Sequence, residues 1–556
     1  MTGSKRFFEK LWGWGQLGKR MHLSEKPGVV EYLRDKGLLK GDLRECKFSI
    51  DKAQLSQIKI SSEVRMQFEK SLAGKIDDSN FVRLAHAGGK SYRDLLRMRR
   101  ALQGGSIELA PDLVVFPTST DEVKKVVELC HQNSLALVPF GGGSSVVGGL
   151  EPLCGKNNGV VVLNMLGMDR LIAVDKTSML ATFECGVLGP DLEKSLGQHQ
   201  CMLGHFPQSF EFSTLGGWIA ARSSGQNSLA YGGIEDMVFS LKMVTPKGEI
   251  TTLEVPRMAG GPSLKEMLVG SEGIFGIITE AKVRIRPIPK EKYYYAVAFP
   301  SFEIAADAVR MIGQKELSLA MVRVSDLWET QAFMAMAGAN HKKGAKVWVG
   351  KRLMQSRGID PTKFSLAMIG IEGDREHIDS VKKEVKQLLK IFPHFSLGTS
   401  AGNKWMKERF DLPYLRDEMM DQNLFIETFE TSTNWARFND LYVAVTRAVE
   451  EAAKISRVKH VLYMHLSHLY ATGVSMYFTI IAEEGEAPLD LWQNIKDKTL
   501  AAINQCGASV SHHHGVGVDH ARHVHTNALE KEMVFALKKT LDPKEIMNPG
   551  KLVVVT

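Results

Sequence analysis

The apolar run Leu135–Phe140 leads without a break into Gly141-Gly142-Gly143-Ser144-Ser145-Val146-Val147-Gly148-Gly149. Residues without a Cβ let backbone N–H groups close on a pyrophosphate, so a strand ending in such a loop is suited to cradle an anion. It is not the GxGxxG pattern of a nicotinamide fold, and an ordinary glycine turn would use the same residues. The residues ahead of it point to alternating strand and helix. Leu113–Phe116 is a short apolar run closed by Pro117, and Ser119-Thr120-Asp121-Glu122 has the form of a capping box. Val123, Val126, Val127 and Cys130 then recur at helical spacing.

Composition narrows the alternatives. A chain of 556 residues holds about three to four domains at roughly 150 residues each and needs no disulfide staple. The 44% hydrophobic and 24% charged content is that of a globular protein, and no run reaches the roughly 18 apolar residues of a spanning helix. The net charge of +7 is spread along the chain, which excludes nucleic acid as the expected partner. Cys46, Cys130, Cys154, Cys185, Cys201 and Cys506 are scattered with no CxxC pair, as free thiols in a reducing compartment would be. No secretory signal is visible, and Val553-Val554-Val555-Thr556 is not a peroxisomal one, so a cytoplasmic location is expected. Near the start, Lys5, Arg6, Lys10, Lys19 and Arg20 mix with Phe7, Phe8, Leu11, Trp12 and Trp14. The mixture suits a membrane surface, and docking of the aromatics onto the chain's own core is the favoured alternative.

Two later stretches carry the same small and hydroxylic chemistry as the glycine loop. Residues 203–224 hold Ser213, Thr214, Gly216, Gly217, Ser223 and Ser224 among apolar neighbours, and VGSEGIFGIITE spans 269–280. In this order the three segments resemble the flavin-binding domain of the vanillyl-alcohol oxidase (PCMH-type) superfamily. The phrases GHFPQSFEFSTLGGWIAARSSG, YGGIEDMVFSLKMVTPKGEI and GSEGIFGIITEAKVRIRPIP, with PYLRD, FETSTNW, SHLYATGVSMYF and SHHHGVG after them, are similar to the alkyldihydroxyacetonephosphate synthase (alkylglycerone-phosphate synthase) family. The likeness runs from about residue 106 to the C-terminus.

The resemblance implies an α+β fold: a mixed helical N-terminal region (1–105), a two-subdomain FAD-binding domain (106–290), an α+β substrate or cap domain (291–500) and a closing C-terminal segment (501–556). It implies a transferase that replaces the acyl group of acyl-dihydroxyacetone phosphate with a long-chain fatty alcohol. The exchange passes through a covalent flavin–substrate intermediate with no net redox. A membrane surface and a homodimer are the further partners it suggests.

FAD would be held by Pro139, Phe140, Gly141, Gly142, Gly143, Ser144 and Ser145, by Gln208, Ser209, Phe210, Glu211, Phe212, Ser213 and Thr214, by Ala221, Arg222, Ser223 and Ser224, and by Glu272, Gly273, Ile274, Phe275, Gly276, Ile277 and Ile278. The attachment is expected to be non-covalent, because the glycine loop holds neither His nor Cys. Arg416 matches the family's arginine for the substrate phosphate, Tyr477 its proton acceptor or donor, and His512, His513, His514 and Arg323 its activity-linked residues.

The residues keep their own alternatives. Arg416 offers a planar fork for a phosphate, and an ion pair with Asp417 is the plainer use of it. Tyr477 stands in the strand-like run Val474–Ile480, where a buried tyrosine satisfied by one hydrogen bond is ordinary. In an extended segment His512 and His514 would face one way and His513 the other. His465 and His468 raise the alternative of a divalent cation shared with the triple histidine, although no metal is expected.

Ile285-Arg286-Pro287-Ile288-Pro289 marks a boundary. Beyond it, Tyr294–Phe299 and Ser365–Ile371 read as strands, and Phe302–Gly313 and Asp440–Ile455 as helices. The basic residues between Lys342 and Arg357, around Val347, Trp348, Val349, Leu353 and Met354, suit anionic lipid headgroups or a solvated loop. The ending, Leu541-Asp542-Pro543 and Asn548-Pro549-Gly550-Lys551, departs from the animal synthases and resembles bacterial relatives and flavin-dependent hydroxy-acid dehydrogenases. A 2-hydroxy-acid dehydrogenase is therefore the alternative function.

Overall fold

The computed structural model describes residues 10–16, 18–338, 345–524 and 527–552, with the side chains of 345–347 left aside. Lys5, Arg6, Phe7, Phe8, Lys342 and Val553–Thr556 lie outside the described residues, as does the side chain of Val347.

The wound unit forms as its residues dictate. Strand Leu113–Val115 is followed by helix Thr120–Asn133 and strand Ala136–Phe140. Ser119 Oγ accepts the Glu122 N–H at 3.3 Å, which is one arm of the capping box. The other arm goes elsewhere: Glu122 Oε2 accepts the N–H of Thr118 at 2.8 Å. The helix closes on Ser134, whose φ of 51° turns the chain back into the sheet. Four strands align in the order Ile76–Asp77, Leu113–Val115, Val160–Asn164, Ala136–Phe140, the last three parallel. Val160–Asn164 is buried along its whole length, as a parallel strand covered on both faces must be. A second, antiparallel sheet runs Gly248–Thr251, Val238–Thr245, Ile277–Arg284, Leu180–Glu184, Leu171–Asp175.

The rest of the chain builds a seven-stranded antiparallel sheet in the order Phe395–Gly398, Glu291–Phe299, Ser365–Gly373, Met321–Ser325, His460–Leu469, Gly473–Glu483, Leu424–Asn434. Helices Phe302–Gln314, Arg375–Leu389, Phe438–Ile455 and Pro488–Gln505 lay their apolar stripes into one continuous core with it. Along Gly473–Glu483 the pleat sorts side chains: Met476 and Phe478 enter that core, while Tyr477 and Thr479 face the cavity. The architecture is α+β, as expected.

The described aromatics of the N-terminal segment dock on the protein itself. Trp12 and Trp14 are buried, Trp12 Nε1 donates to Asp421, and the Trp14 N–H donates to Asp417. Both acceptors stand on helix Leu412–Asp421, which carries Arg416. Among the described residues, no helix is long and apolar enough to cross a membrane.

Candidate active site

A cavity of about 490 Å³ lies between the first two sheets and the seven-stranded one. Pro139–Ser145 forms one wall, and the missing side chains there are a steric requirement. A Cβ on Gly142 would fall 1.5 Å from the carbonyl oxygen of Phe212, and one on Gly141 2.4 Å from Thr214 Oγ1. Gln208, Ser209, Ser213, Thr214, Ala221, Ser223, Ser224, Glu272, Gly273 and Gly276–Ile278 line the same cavity.

Six residues of the expected cofactor set turn away from it. Phe210 stacks on Phe410, and Ile274 and Phe275 enter the core behind the five-stranded sheet. Glu211 meets Lys19 and Tyr414, and Phe212 packs edge-on against Trp14. Arg222 pairs with Glu266 at the surface. For Phe210, Glu211, Phe212 and Arg222 the reason is local: the short 3-10 turn Phe210–Phe212 and helix Leu215–Ala221, which Arg222 caps, present only part of their circumference to the cavity.

Asn548 joins this wall from the far end of the chain. Its Nδ2 donates to the carbonyls of Glu272 at 2.7 Å and Gly149 at 3.2 Å, and its Oδ1 is buried without a hydrogen-bond partner. Glu272 accepts the N–H groups of Val516 and Gly517, yet burial pushes its carboxyl up to about 7. A glycine cradle that admits no side chain, hydroxyls along two segments and an unspent buried acceptor fit a dinucleotide such as FAD.

The opposite wall carries the titratable side chains. Arg323 Nη2 donates to Glu329 Oε1 at 2.8 Å, and His465 Nδ1 lies 2.8 Å from the same oxygen. Burial would raise the Glu329 carboxyl, but Arg323 and His465 prevail and hold it down at about 2. The His465 ring stacks on Tyr477 at 4.8 Å. Burial lifts the Tyr477 hydroxyl to about 12, so it stays protonated at neutral pH.

The triple histidine is not extended. Glu430, fully enclosed on strand Leu424–Asn434, collects the backbone N–H groups of His512, His513 at 3.0 Å and His514 at 2.8 Å, and the Ser511 hydroxyl at 2.6 Å. Three consecutive amides converge on one carboxylate only if the chain bends around it, so the alternation expected of a strand fails. His513 and His514 line the cavity next to one another beside Tyr477, their ring centres 6.3 and 5.6 Å from its ring, while His512 turns outward to the Tyr470 hydroxyl at 2.6 Å. Burial keeps all three rings below the ordinary histidine range and hence neutral.

His468, His512 and His513 present nitrogens within 4.8 Å of one another. Two ligands of one tetrahedral zinc lie about 3.4 Å apart, whereas His512 Nδ1 and His513 Nδ1 are 2.9 Å apart, a hydrogen-bond distance. The geometry favours a shared proton over a shared cation. His465 is committed to Glu329 and Arg323 and stands outside this group.

Arg416 lines the cavity near Lys90, to whose carbonyl its Nη1 donates at 3.0 Å. The ion pair with Asp417 is loose, Nε standing 3.9 Å from Oδ1, while Oδ2 of that carboxylate accepts the Trp14 N–H. Arg416 Nε is buried without a hydrogen-bond partner. Val29, Leu33, Ala332, Met336, Met419 and Ile481 make the remaining end of the cavity apolar.

Glu430, Glu329, Lys90, Tyr470 and Asn548 were not singled out by sequence reasoning as site residues. Asn548 alone had a local signal, the asparagine of the Asn-Pro-Gly-Lys ending.

Comparison with known proteins agrees with this geometry. Residues 111–254 match the FAD binding domain family, and residues 288–552 the FAD linked oxidases, C-terminal domain. The chain is 34% identical to the alkyldihydroxyacetonephosphate synthase of Dictyostelium discoideum, covering 100% of this chain and 96% of that protein. It is 36% identical to that of Trypanosoma brucei brucei, covering 85% and 77%. A solved alkyldihydroxyacetonephosphate synthase superposes with a TM-score of 0.83 at 31% identity over 98% of this chain and 99% of that one. A D-lactate dehydrogenase of Saccharomyces cerevisiae stands further off at 26% identity, so the dehydrogenase alternative gives way to the synthase. The chain belongs to the alkyldihydroxyacetonephosphate synthase family of FAD-dependent enzymes.

Proposed function

We propose that the protein forms ether lipids by exchanging the acyl group of acyl-dihydroxyacetone phosphate for a long-chain fatty alcohol. The observation that carries this reading is that one cavity joins a dinucleotide cradle, an arginine whose Nε is buried without a hydrogen-bond partner, a cluster of titratable side chains and an apolar end. Arg416 binds the phosphate with its planar fork. The apolar end takes the hydrocarbon chain and keeps water from the reacting carbon. Tyr477 moves the proton at that carbon, and Arg323 and Glu329 fix the ring of His465 against it. His513 or His514, neutral and facing the cavity, takes the proton of the incoming alcohol. Bound FAD would supply a temporary electron sink, and residues 139–145, Asn548 and the cavity-facing parts of 208–224 and 272–278 would hold it.

In this reading 106–290 serves the cofactor, 291–500 the substrate, and 501–556 closes the site with the histidines. Helix Ala345–Ser356 exposes Trp348, Val349 and Leu353 beside Lys351 and Arg352, which supports docking on an anionic lipid surface.

A product assay tests the function. Incubation with acyl-dihydroxyacetone phosphate and a long-chain alcohol is expected to yield ether product and one fatty acid per ether. Absence of ether product, with a 2-hydroxy acid reducing the flavin instead, would establish the dehydrogenase.

A further inference from the structure

We propose that His513, His512 and Tyr470 form a proton exit from the reaction cavity to solvent. The proposal rests on the exchange reaction above, whose atom balance demands such a route. The bond between carbon and the acyloxy oxygen breaks, the ether bond forms, and the O–H bond of the alcohol is lost. The fatty acid leaves as a carboxylate, and with a pKa of about 4 to 5 it stays ionised at neutral pH. One proton per turnover therefore leaves on neither product. No oxidant or reductant is involved.

The three side chains make a continuous line outward. His513 lines the cavity. Its Nδ1 lies 2.9 Å from His512 Nδ1, and His512 Nε2 lies 2.6 Å from the Tyr470 hydroxyl. Tyr470 is 46% exposed, on the turn between strands His460–Leu469 and Gly473–Glu483, where its N–H donates to the Gly473 carbonyl at 2.9 Å. One set of tautomers satisfies the whole line: His513 Nδ1–H donates to His512 Nδ1, and His512 Nε2–H donates to the tyrosine oxygen. His513 Nε2 is then the nitrogen left to accept the alcohol proton. A proton arriving there releases the one on Nδ1, His512 passes on its own from Nε2, and the tyrosine gives one to water. Each ring gains at one nitrogen what it loses at the other.

The rings are held in this line from behind. Glu430 anchors the backbone of both histidines, and the His468 ring stacks on that of His512 at 4.9 Å. A catalytic histidine that only needed to face the substrate would not require its neighbour to turn outward onto an exposed hydroxyl.

Tyr470→Phe keeps the ring and removes only the hydroxyl, so FAD content and melting temperature serve as controls and should stay at wild-type values. In weak buffer the variant is expected to form ether about tenfold more slowly than wild type. High concentrations of a small imidazole buffer should restore the rate by carrying the proton from His512, while the wild type stays indifferent to buffer. The double variant Tyr470→Phe with His512→Ala should be no slower than His512→Ala alone, because links in series are not additive. A Tyr470→Phe rate within about twofold of wild type in weak buffer, or losses that multiply in the double variant, would overturn the relay. Absence of ether product from the wild type overturns the functional reading itself, a result plainly distinct from either.

Discussion

Glu430 accepts the backbone N–H of His514 at 2.8 Å and bends the chain so that this histidine stands edge-on to Tyr477 while the neighbouring His513 ring lies stacked with it. The bend makes the three histidines unequal. Single alanine changes are therefore expected to differ: His513→Ala or His514→Ala abolishes ether formation while FAD stays bound, and His512→Ala slows it less. Activity should survive exhaustive chelation, since the contact between His512 and His513 has hydrogen-bond length. Loss on chelation that zinc reverses would assign the cluster to a metal.

The purified protein should be yellow, and acid or heat should release free FAD, because the glycine loop offers no His or Cys for attachment. Gly142→Ala drives a methyl group into the Phe212 carbonyl, a backbone atom that cannot swing aside. Its FAD-to-protein ratio, read from visible absorbance, is expected to fall well below that of wild type; an unchanged ratio would remove the loop from the cofactor site.

Arg416→Lys keeps the charge and loses the fork. Use of the phosphorylated substrate should weaken by about tenfold or more in kcat/KM, and the dephosphorylated analogue should not notice the change. Equal losses on both would make Arg416 a structural residue.

Turnover should continue under strict anaerobiosis with no electron acceptor, because the exchange returns its electrons within each cycle. Tyr477→Phe should stop it by removing the hydroxyl that handles the proton. Flavin that bleaches once and waits for an oxidant would mark a dehydrogenase.

The Glu272 carboxyl sets an alkaline limit. Burial raises it to about 7, so its protonated form favours the fold fully below the unfolded value near 4.5, and that contribution is lost as pH rises through 7. The effect is on the order of 3 kcal/mol at most. Glu272→Gln, which cannot ionise, is expected to gain melting temperature relative to wild type above pH 7, with the gap closing toward pH 5. A gap independent of pH would mean that ionisation at this position is not coupled to folding.

By itself, the order of residues determined everything that depends on neighbours within a few positions. The strand before the glycine loop, the helix Thr120–Asn133 with its Ser119 cap, and the long strands and helices beyond residue 290 arise from apolar period and turn chemistry, so they are legible locally. The segments that line the cavity opposite the histidines were legible for the same reason, since small and hydroxylic residues in series are a local signal. Only the tertiary structure decided which of those side chains face the cavity, why Phe210 and Phe275 do not, and that Trp12 and Trp14 belong to the core. It alone brought one oxygen of Asp417 to an amide 403 residues away and left the Arg416 pair with the other oxygen at 3.9 Å. It also bent the histidines around Glu430, a carboxylate more than 80 positions earlier in the chain. A buried charge takes whatever donors the fold brings to it, and that choice is made by packing across sheets rather than by spacing along the chain.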